Sequence, residues 1–444
     1  MEGADCGEVS LAPSSSSCNG PRRSPPSWKE EPLPPGAQEH LDRPRETAAR
    51  ESFHQDRCAA ITEAVCERLL MKQPAYRECL GNVAAFILER EVADGQGSCK
   101  EAYELVALGT GDVCYGGWME FDGRRVHDMH GLVVARRALM RYFYKQLLLR
   151  CSQDPARSNR ASLPGGRRGP LRLKPRCHLH LYLSQMPHGA VKKLFAPLLR
   201  SSSSVDLNIR VQGQLRAVSY CSPTLLSSHV YCASGSDKLI RWTVLGVQGA
   251  LLSHFLHPVY ITSIVLADPY PNCDILNHVL SKSVQLGPED GVPQPYRHKK
   301  VYLFEGPLAA PCGSPPECGS LSLNWCSGDE RLECVDGAVG KAERDIANPG
   351  GASRPSRLCK AAMLKSFRNV AQEMKREDLV SLSTYHEAKV QATTYQRAKL
   401  QLHSHLSVRD LRGGLKSSWW TVFADRLAWA AEDLLQPTDR SKFQ

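Results

Sequence analysis

The sequence predicts an α/β domain in which helices pack around one mixed β-sheet. Three observations support this fold class. Strand-like segments alternate with helical periodicities along the chain, as is typical of α/β domains. Pro- and Gly-rich stretches at 286–297, 307–318 and 338–356 resemble surface loops of one large domain rather than linkers between several. Helices dominate after Ser356.

Hydrophobic periodicity predicts the main elements one by one. In chain order they are helix Gln55–Leu70, strands Val83–Glu89 and Tyr103–Leu108, helix 131–150, strand His178–Ser184, helix Ser236–Leu252 and strand Val259–Ala267. Residues 152–170 are rich in Gly, Arg, Pro and Ser and indicate a surface loop. The uncharged stretch Gly246–Ala267 is long enough to cross a bilayer. It contains two histidines and a proline and turns strand-like midway, so we expect a buried helix and strand there and no membrane contact.

Composition limits the cellular setting. The 444 residues carry a net charge of +10, which fits an anionic partner such as nucleic acid but is also found on ordinary solvated surfaces. The first residues contain no secretory signal, so the 17 cysteines are expected to be reduced thiols of a protein that is nuclear, cytoplasmic or both, and not secreted. Residues 1–52 are polar and proline-rich and are expected to be disordered. We place one domain over 53–435.

Three short blocks carry chemistry-bearing residues. The first runs from Gly109-Thr110-Gly111 to His127–Arg137, the second is Pro187-His188-Gly189, and the third is Ser234–Lys238. Together they resemble the active-site blocks of the adenosine deaminases that act on RNA. Further similar blocks extend the resemblance from Phe53 to about Leu406. The resemblance implies a cytidine-deaminase-like mixed sheet enlarged by a helical C-terminal half.

The resemblance also implies that the catalytic residues are missing. In the family, a histidine binds zinc and a glutamate two residues later moves protons. Here His130 occupies the histidine position, but Leu132 stands at the glutamate position and cannot transfer a proton. The two family cysteines that bind zinc are replaced by His188 and Gly235, so we expect no catalytic residues and no zinc. One alternative is a rebuilt site formed by His130, His188 and Cys232.

The family's RNA chemistry is altered as well. Active members insert a glutamate-bearing loop into the duplex, but here no acidic residue lies between Arg216 and Asp237. We find no double-stranded-RNA-binding domain in the chain, so any binding of double-stranded RNA is expected to be weak. The sequence is similar to non-catalytic, male-germ-cell members of the family, which implies RNA binding or processing in spermatogenesis. The alternatives are an active RNA adenosine deaminase and a regulator that competes with active editors.

Finally, the resemblance implies a structural inositol hexakisphosphate inside the domain. The matching residues are Arg136, Arg137, Lys238, Arg241, Trp242, Lys360, Tyr385, Lys389, Tyr395 and Lys399. If 385–399 form one helix, its two tyrosines and two lysines in this set share an arc of about 120°. A solvated basic helix face is the alternative explanation.

Overall fold

The computed structural model describes residues 48–93, 99–118, 120, 122–152, 161–163, 170–189, 208–211, 214–217, 229–269, 271–282, 291–310, 318–343 and 354–411. Its helices are α1 (Ala48–Lys72), α2 (Gly131–Cys151), α3 (Gly235–Leu245), α4 (Gly249–Leu252), α5 (Cys273–Lys282), α6 (Lys360–Glu373), α7 (Glu377–Val380), α8 (Tyr385–Val390) and α9 (Thr393–Leu411). Its strands are β1 (Ala84–Ala93), β2 (Cys99–Gly109), β3 (Cys177–Leu183), β4 (Asn208–Val211), β5 (Gln214–Ala217), β6 (Tyr231–Ala233), β7 (Ser263–Leu266), β8 (Tyr302–Glu305), β9 (Leu321–Cys326), β10 (Glu333–Asp336) and β11 (Lys341–Ala342).

The main sheet is mixed, which confirms the predicted α/β class. Its eight strands have the order β11-β10-β9-β2-β1-β3-β7-β8. Strands β3, β7 and β8 run parallel to one another, whereas the other neighbouring pairs are antiparallel. The helical C-terminal part is also confirmed, because residues 354–411 contain four helices and no strand.

Both faces of the central strand β1 are buried. Phe86 and Leu88 pack in a core with α2 and the C-terminal helices, whereas Ala85 and Ile87 pack in a second core with α1. Successive side chains of a strand point to opposite faces, so this alternation places α1 on one side of the sheet and α2 on the other.

Two glycines bring the start of α2 against the ends of β1 and β2. A Cβ atom on Gly131 would lie 2.1 Å from the carbonyl oxygen of Asn82, and one on Gly109 would lie 2.2 Å from the amide nitrogen of Ala135. Only glycine permits such close backbone contact. The contact fixes the position of His130, the N-cap residue of α2, beside the sheet.

The prediction of one helix over Ser236–Leu252 is wrong, because the structure has two helices there. Gly246 and Gly249 adopt φ angles of +71° and +74°, in the left-handed region that favours glycine. The side chain of Gln248 donates to the carbonyl oxygen of Leu245 at 2.8 Å and accepts from a backbone N–H at 3.0 Å. It thereby pairs polar groups that the break would leave unsatisfied.

Two further predictions need correction. The last predicted strand, Val259–Ala267, is shorter than expected, since β7 covers only Ser263–Leu266. The prediction of a single sheet is also wrong, because β5, β4 and β6 form a separate three-stranded antiparallel sheet. Strands of three or four residues are too short to give a clear alternation in the sequence.

The expected boundary at residue 52 falls inside α1, which begins at Ala48. Residues 1–47 and the predicted end of the domain at 435 lie outside the described residues, as do most of loop 152–170 and positions 218–228 of the altered RNA-contacting segment. Among the described residues, no helix is both long enough and apolar enough to span a membrane.

Candidate functional site

A pocket lies where the N-termini of α2 and α3 approach the sheet. The lining residues that bear on its chemistry come from all three motif blocks and are Asp112, His130, Leu132, His188, Gly235 and Lys238. The structure therefore brings the three motif blocks together around one pocket.

The imidazole of His130 is held by an acidic neighbour. Its Nδ1 lies 2.7 Å from Oδ1 of Asp128, and Asp128 also accepts a hydrogen bond from the ammonium of Lys238. A carboxylate can only accept, so Nδ1 of His130 carries a proton, and Nε2 is the ring nitrogen on the side of Asp112. Nε2 is buried and has no hydrogen-bond partner among the described residues.

The charges of Asp128 and Lys238 stabilise each other. Burial by itself raises the pKa of Asp128, but Lys238 and His130 outweigh burial and hold that pKa well below its usual range. Burial by itself lowers the pKa of Lys238, but the nearby Asp128 carboxylate outweighs burial and raises it. This pair therefore remains ionised at neutral pH and locks the orientation of His130.

The second histidine is fixed through its own backbone. The carbonyl oxygen of His188 accepts hydrogen bonds from the backbone amide of Ser236 at 3.0 Å and from its hydroxyl at 3.1 Å. Nε2 of His188 lies 2.6 Å from Oδ1 of Asp112, and Nε2 of His130 lies 3.4 Å from the same oxygen. One carboxylate oxygen therefore faces both histidines.

Two pocket positions at which the motif comparison expects catalytic chemistry, Leu132 and Gly235, carry no polar side chain. Leu132 is buried in the first turn of α2, where it lines the pocket and packs in the core with α2 and the C-terminal helices. Gly235 begins α3 and offers no donor atom. Among the described residues, the groups that include His130 and could hold a metal contain Asp112 and His188, or Cys114 and Asp128. Cys232 belongs to neither group, so the alternative site of His130, His188 and Cys232 does not form.

A second cluster, rich in cations, lies behind the pocket. The guanidinium of Arg136 lies 5.1 Å from the centre of the Trp242 ring, and its Nε donates to a backbone carbonyl at 2.8 Å. Burial lowers the pKa of Arg136 and, likewise, that of Arg241. Tyr395 lies close enough to both guanidiniums for their charges to influence its pKa, although burial dominates and raises it. Nε of Arg241 is buried and has no hydrogen-bond partner among the described residues.

Three lysines extend this cluster. Burial, Lys389 and Arg241 lower the pKa of Lys399 to about 7. Burial, Arg137 and Lys389 lower the pKa of Lys360 to about 8. Burial also lowers the pKa of Lys389. Each of these shifts means that the charged form is poorly solvated at its position.

We define the buried cation cluster as Arg136, Arg137, Arg241, Lys360, Lys389 and Lys399, whose side chains are surrounded by protein but keep part of their surface accessible. Within the described part of the chain, none of these six side chains forms an ion pair with a carboxylate. Buried charges are costly unless an opposite charge compensates them. The cluster therefore has the chemistry of a site for a polyanion.

The helix proposed for this site differs from the sequence prediction. Tyr385 and Lys389 lie on α8, whereas Tyr395 and Lys399 lie on α9, so the assumed single helix is wrong. The chain turns between the helices, where the Gln396 side chain donates to the carbonyl oxygen of Lys389 at 2.6 Å. Tertiary packing, rather than one helical arc, brings the two pairs together.

Comparison with known proteins decides the family. A profile described as the adenosine-deaminase (editase) domain matches residues 107–417. The chain belongs to the adenosine-deaminase (editase) domain family. It is 29% identical to the fruit fly (Drosophila melanogaster) double-stranded RNA-specific editase Adar over 70% of this chain and 47% of that protein. It is 30% identical to the mouse (Mus musculus) double-stranded RNA-specific editase B2 over 67% of this chain and 42% of that protein.

A third relative is the mouse double-stranded RNA-specific adenosine deaminase, 28% identical over 75% of this chain and 29% of that protein. The chain thus spans less than half the length of each of these relatives. The editase domain of this chain does not keep the family's full set of zinc ligands: His130 stands at the histidine position, but the two cysteine positions hold His188 and Gly235, and Gly235 has no donor atom. It does fit the family's polyphosphate, since none of the six cations forms an ion pair with a carboxylate among the described residues, although Asp237 acts on Arg241 from a distance, and Arg241 leaves a buried N–H unpaired.

Sequence reasoning missed the two acids of the pocket. Asp128 was part of the first motif but received no role, although its place two residues before His130 suits a carboxylate that orients the ring. Asp112 follows Gly109-Thr110-Gly111 directly, and nothing in its local sequence indicates a contact with His188, 76 residues away.

Proposed function

We propose that this editase-domain protein is catalytically inactive and acts through binding RNA, in RNA processing in male germ cells. The observation that carries the proposal is the buried Leu132 on the pocket wall. Deamination needs a group that takes a proton from the attacking water and delivers it to the base. An alkyl side chain cannot do so, and it also makes this wall of the pocket apolar.

The acids that remain in the pocket do not replace the missing group. Asp128 is held between His130 and Lys238 and stays ionised, so it does not serve as an acid at neutral pH. Asp112 faces the two histidines through one oxygen. An active deaminase, the alternative function, would require Asp112 to leave these contacts.

The proposed RNA partner rests on charge, on the relatives and on one exposed aromatic residue. The relatives are named for double-stranded RNA, and this chain carries a net charge of +10. Trp118 is 67% exposed and stacks on His229 with ring centres 4.7 Å apart. From His229 the chain continues through β6 to Gly235, so the indole of Trp118 stacks against the start of a segment that leads to the pocket. Exposed indoles are suited to stacking on nucleic-acid bases.

Titration of a duplex RNA and of a single-stranded RNA at several salt concentrations tests this binding. We expect affinity to fall with salt, as phosphate contacts require. Trp118→Ala should lower the affinity about 5- to 150-fold, corresponding to about 1–3 kcal/mol for one stacked base. The control variant Met71→Ala removes an exposed apolar side chain of helix α1 and should leave the RNA affinity unchanged. Absence of binding even at low salt would overturn the RNA role.

The germ-cell setting rests on the resemblance of the run His130–Val133 and the block Leu321–Trp325 to the non-catalytic germ-cell members of the family. Detection of the protein in testis sections, and its absence from other tissues, would support it. Equal abundance in all tissues would contradict it.

The buried cation cluster is proposed to hold inositol hexakisphosphate as a structural ligand. The six cations, together with Tyr385, Tyr395 and the indole of Trp242, would surround its phosphates. The resemblance also places Lys238 in this set, and its ammonium is paired with Asp128 in the pocket. Asp237 acts electrostatically on Arg241, and the ligand would supply the further negative charge for six cations, so its expected role is in folding stability.

A further inference from the structure

Three potential metal ligands meet at the mouth of the pocket. Oδ1 of Asp112, Nε2 of His130 and Nε2 of His188 lie within 4.8 Å of one another. They come from three separate segments, the loop after β2, the N-cap of α2 and the loop after β3. The sequence-based expectation of no zinc counted only the two histidines, because Asp112 had not been placed beside them.

The spacing of these atoms is close to that of a metal site. In a tetrahedral site with bonds of about 2.0 Å, ligand atoms lie roughly 3.3 Å apart. The distance from Asp112 Oδ1 to His130 Nε2 is 3.4 Å, and that to His188 Nε2 is 2.6 Å. Of these two distances, the one from Asp112 to His188 must widen when a metal binds. Asp112 has room to move because its side chain is 41% exposed.

The surroundings of His130 favour a ligand role over a simple ion pair. Asp128 holds a proton on Nδ1, so Nε2 is the ring nitrogen left for a ligand. Nε2 is buried, has no hydrogen-bond partner among the described residues and lies 3.4 Å from Asp112. Metal-binding histidines are typically oriented in this way by a carboxylate on the other ring nitrogen. Lys238 neutralises Asp128, so the acid that orients His130 adds no excess charge to the pocket.

We propose that Asp112, His130 and His188 bind one divalent transition-metal ion, with zinc as the preferred occupant. Two imidazoles and one carboxylate form a ligand set that suits zinc. In this set, His188 stands at one of the family's two cysteine positions, and the Asp112 carboxylate, which comes from a different loop, takes the place of the thiolate lost at Gly235. The exposed side of Asp112 leaves room for water as a fourth ligand. With Leu132 on the pocket wall, the ion ties three loops together and has no proton shuttle beside it.

The test uses the full chain, stripped with a chelator and titrated with Zn²⁺ and separately with Co²⁺. We expect one ion per chain, measured by elemental analysis after gel filtration, and visible Co²⁺ absorption bands of tetrahedral or five-coordinate character. Asp112→Asn removes the negatively charged ligand and should weaken Zn²⁺ binding at least about 100-fold. Loss of a group that only orients a metal ligand already lowers metal affinity about 10- to 100-fold. Asp122→Asn, on the exposed loop ten residues further along, is the matched control and should bind as the wild type does.

Two results would overturn the proposal. One is a wild-type chain that retains less than a tenth of an ion, and the other is Zn²⁺ affinity that does not change in Asp112→Asn. His188→Gln provides a second variant with the same expected loss, should Asp112→Asn fail to fold. Metal content does not depend on RNA binding or inosine formation, so the metal site and the RNA role can fail separately.

Discussion

Lys399 offers the sharpest test of the buried cation cluster, through the variant Lys399→Gln. Its pKa falls from 10.5 to about 7 without a bound anion. In the unfolded chain the same lysine keeps its ordinary pKa. One pKa unit corresponds to about 1.4 kcal/mol, so at pH 7 this difference in pKa lowers the free energy of unfolding by at most about 4 kcal/mol. That loss is a large fraction of the 5–15 kcal/mol by which typical domains are stable.

The variant should therefore change stability in opposite directions with and without anion. In protein prepared from cells that make no inositol phosphates, Lys399→Gln should raise the free energy of unfolding by about 2–4 kcal/mol, because it removes a poorly solvated charge. With inositol hexakisphosphate added, the wild type should gain more stability than the variant, because its ammonium then pairs with phosphate. Urea denaturation at pH 7 measures both quantities.

The pH dependence has a definite sign. Between pH 7 and about 10 the unfolded chain keeps the Lys399 proton that the folded, anion-free chain has released. Stability of the anion-free wild type should therefore rise with pH across this range and be reduced toward pH 7. Lys399→Gln should have a smaller slope. Lys365→Gln, which changes an exposed lysine on α6, should match the wild type. Equal responses of all three proteins to the anion would refute the assignment.

Two further predictions concern the scaffold. Gly131→Ala would place a Cβ 2.1 Å from the carbonyl oxygen of Asn82, so we expect it to destabilise the fold by about 1–3 kcal/mol, and unchanged urea denaturation would contradict that expectation. Asp329 accepts two hydrogen bonds from Arg141, at 2.7 and 3.0 Å, and one from Lys145 at 2.6 Å. Asp329→Asn should therefore lower the free energy of unfolding by about 3–5 kcal/mol. Burial by itself raises the pKa of Asp329, but these cations hold it well below its usual range, so stability should fall as the pH drops below 4 in the wild type and less in the variant.

The long, strongly periodic elements were predictable from the sequence. Helix 131–150 and strand His178–Ser184 agree with α2 and β3 to within one residue at each end, because many residues contribute to each pattern. Motif spacing also placed His130 and Leu132 correctly on the first turn of α2.

Features that depend on tertiary contacts were not predictable. Tyr385 lies on α8 and Tyr395 on α9, and the two tyrosines still approach each other. The sequence-based prediction was that a single helix would bring them together. The approach of Asp112 to His130 and His188 depends on how three loops meet at the sheet edge. Neither arrangement leaves a local pattern of residue types, so no periodicity could indicate it.

The account rests most heavily on the loss of chemistry at Leu132, and inosine formation measures it directly. The full chain would be incubated with duplex RNA, with Zn²⁺ and inositol hexakisphosphate supplied, beside the fruit fly editase as a positive control. The account predicts no inosine above the protein-free blank, even when RNA binding and bound metal are demonstrated in the same sample. Inosine that accumulates in proportion to the wild-type chain, and disappears in Asp112→Asn, would contradict it and make Asp112 the candidate replacement for the missing glutamate.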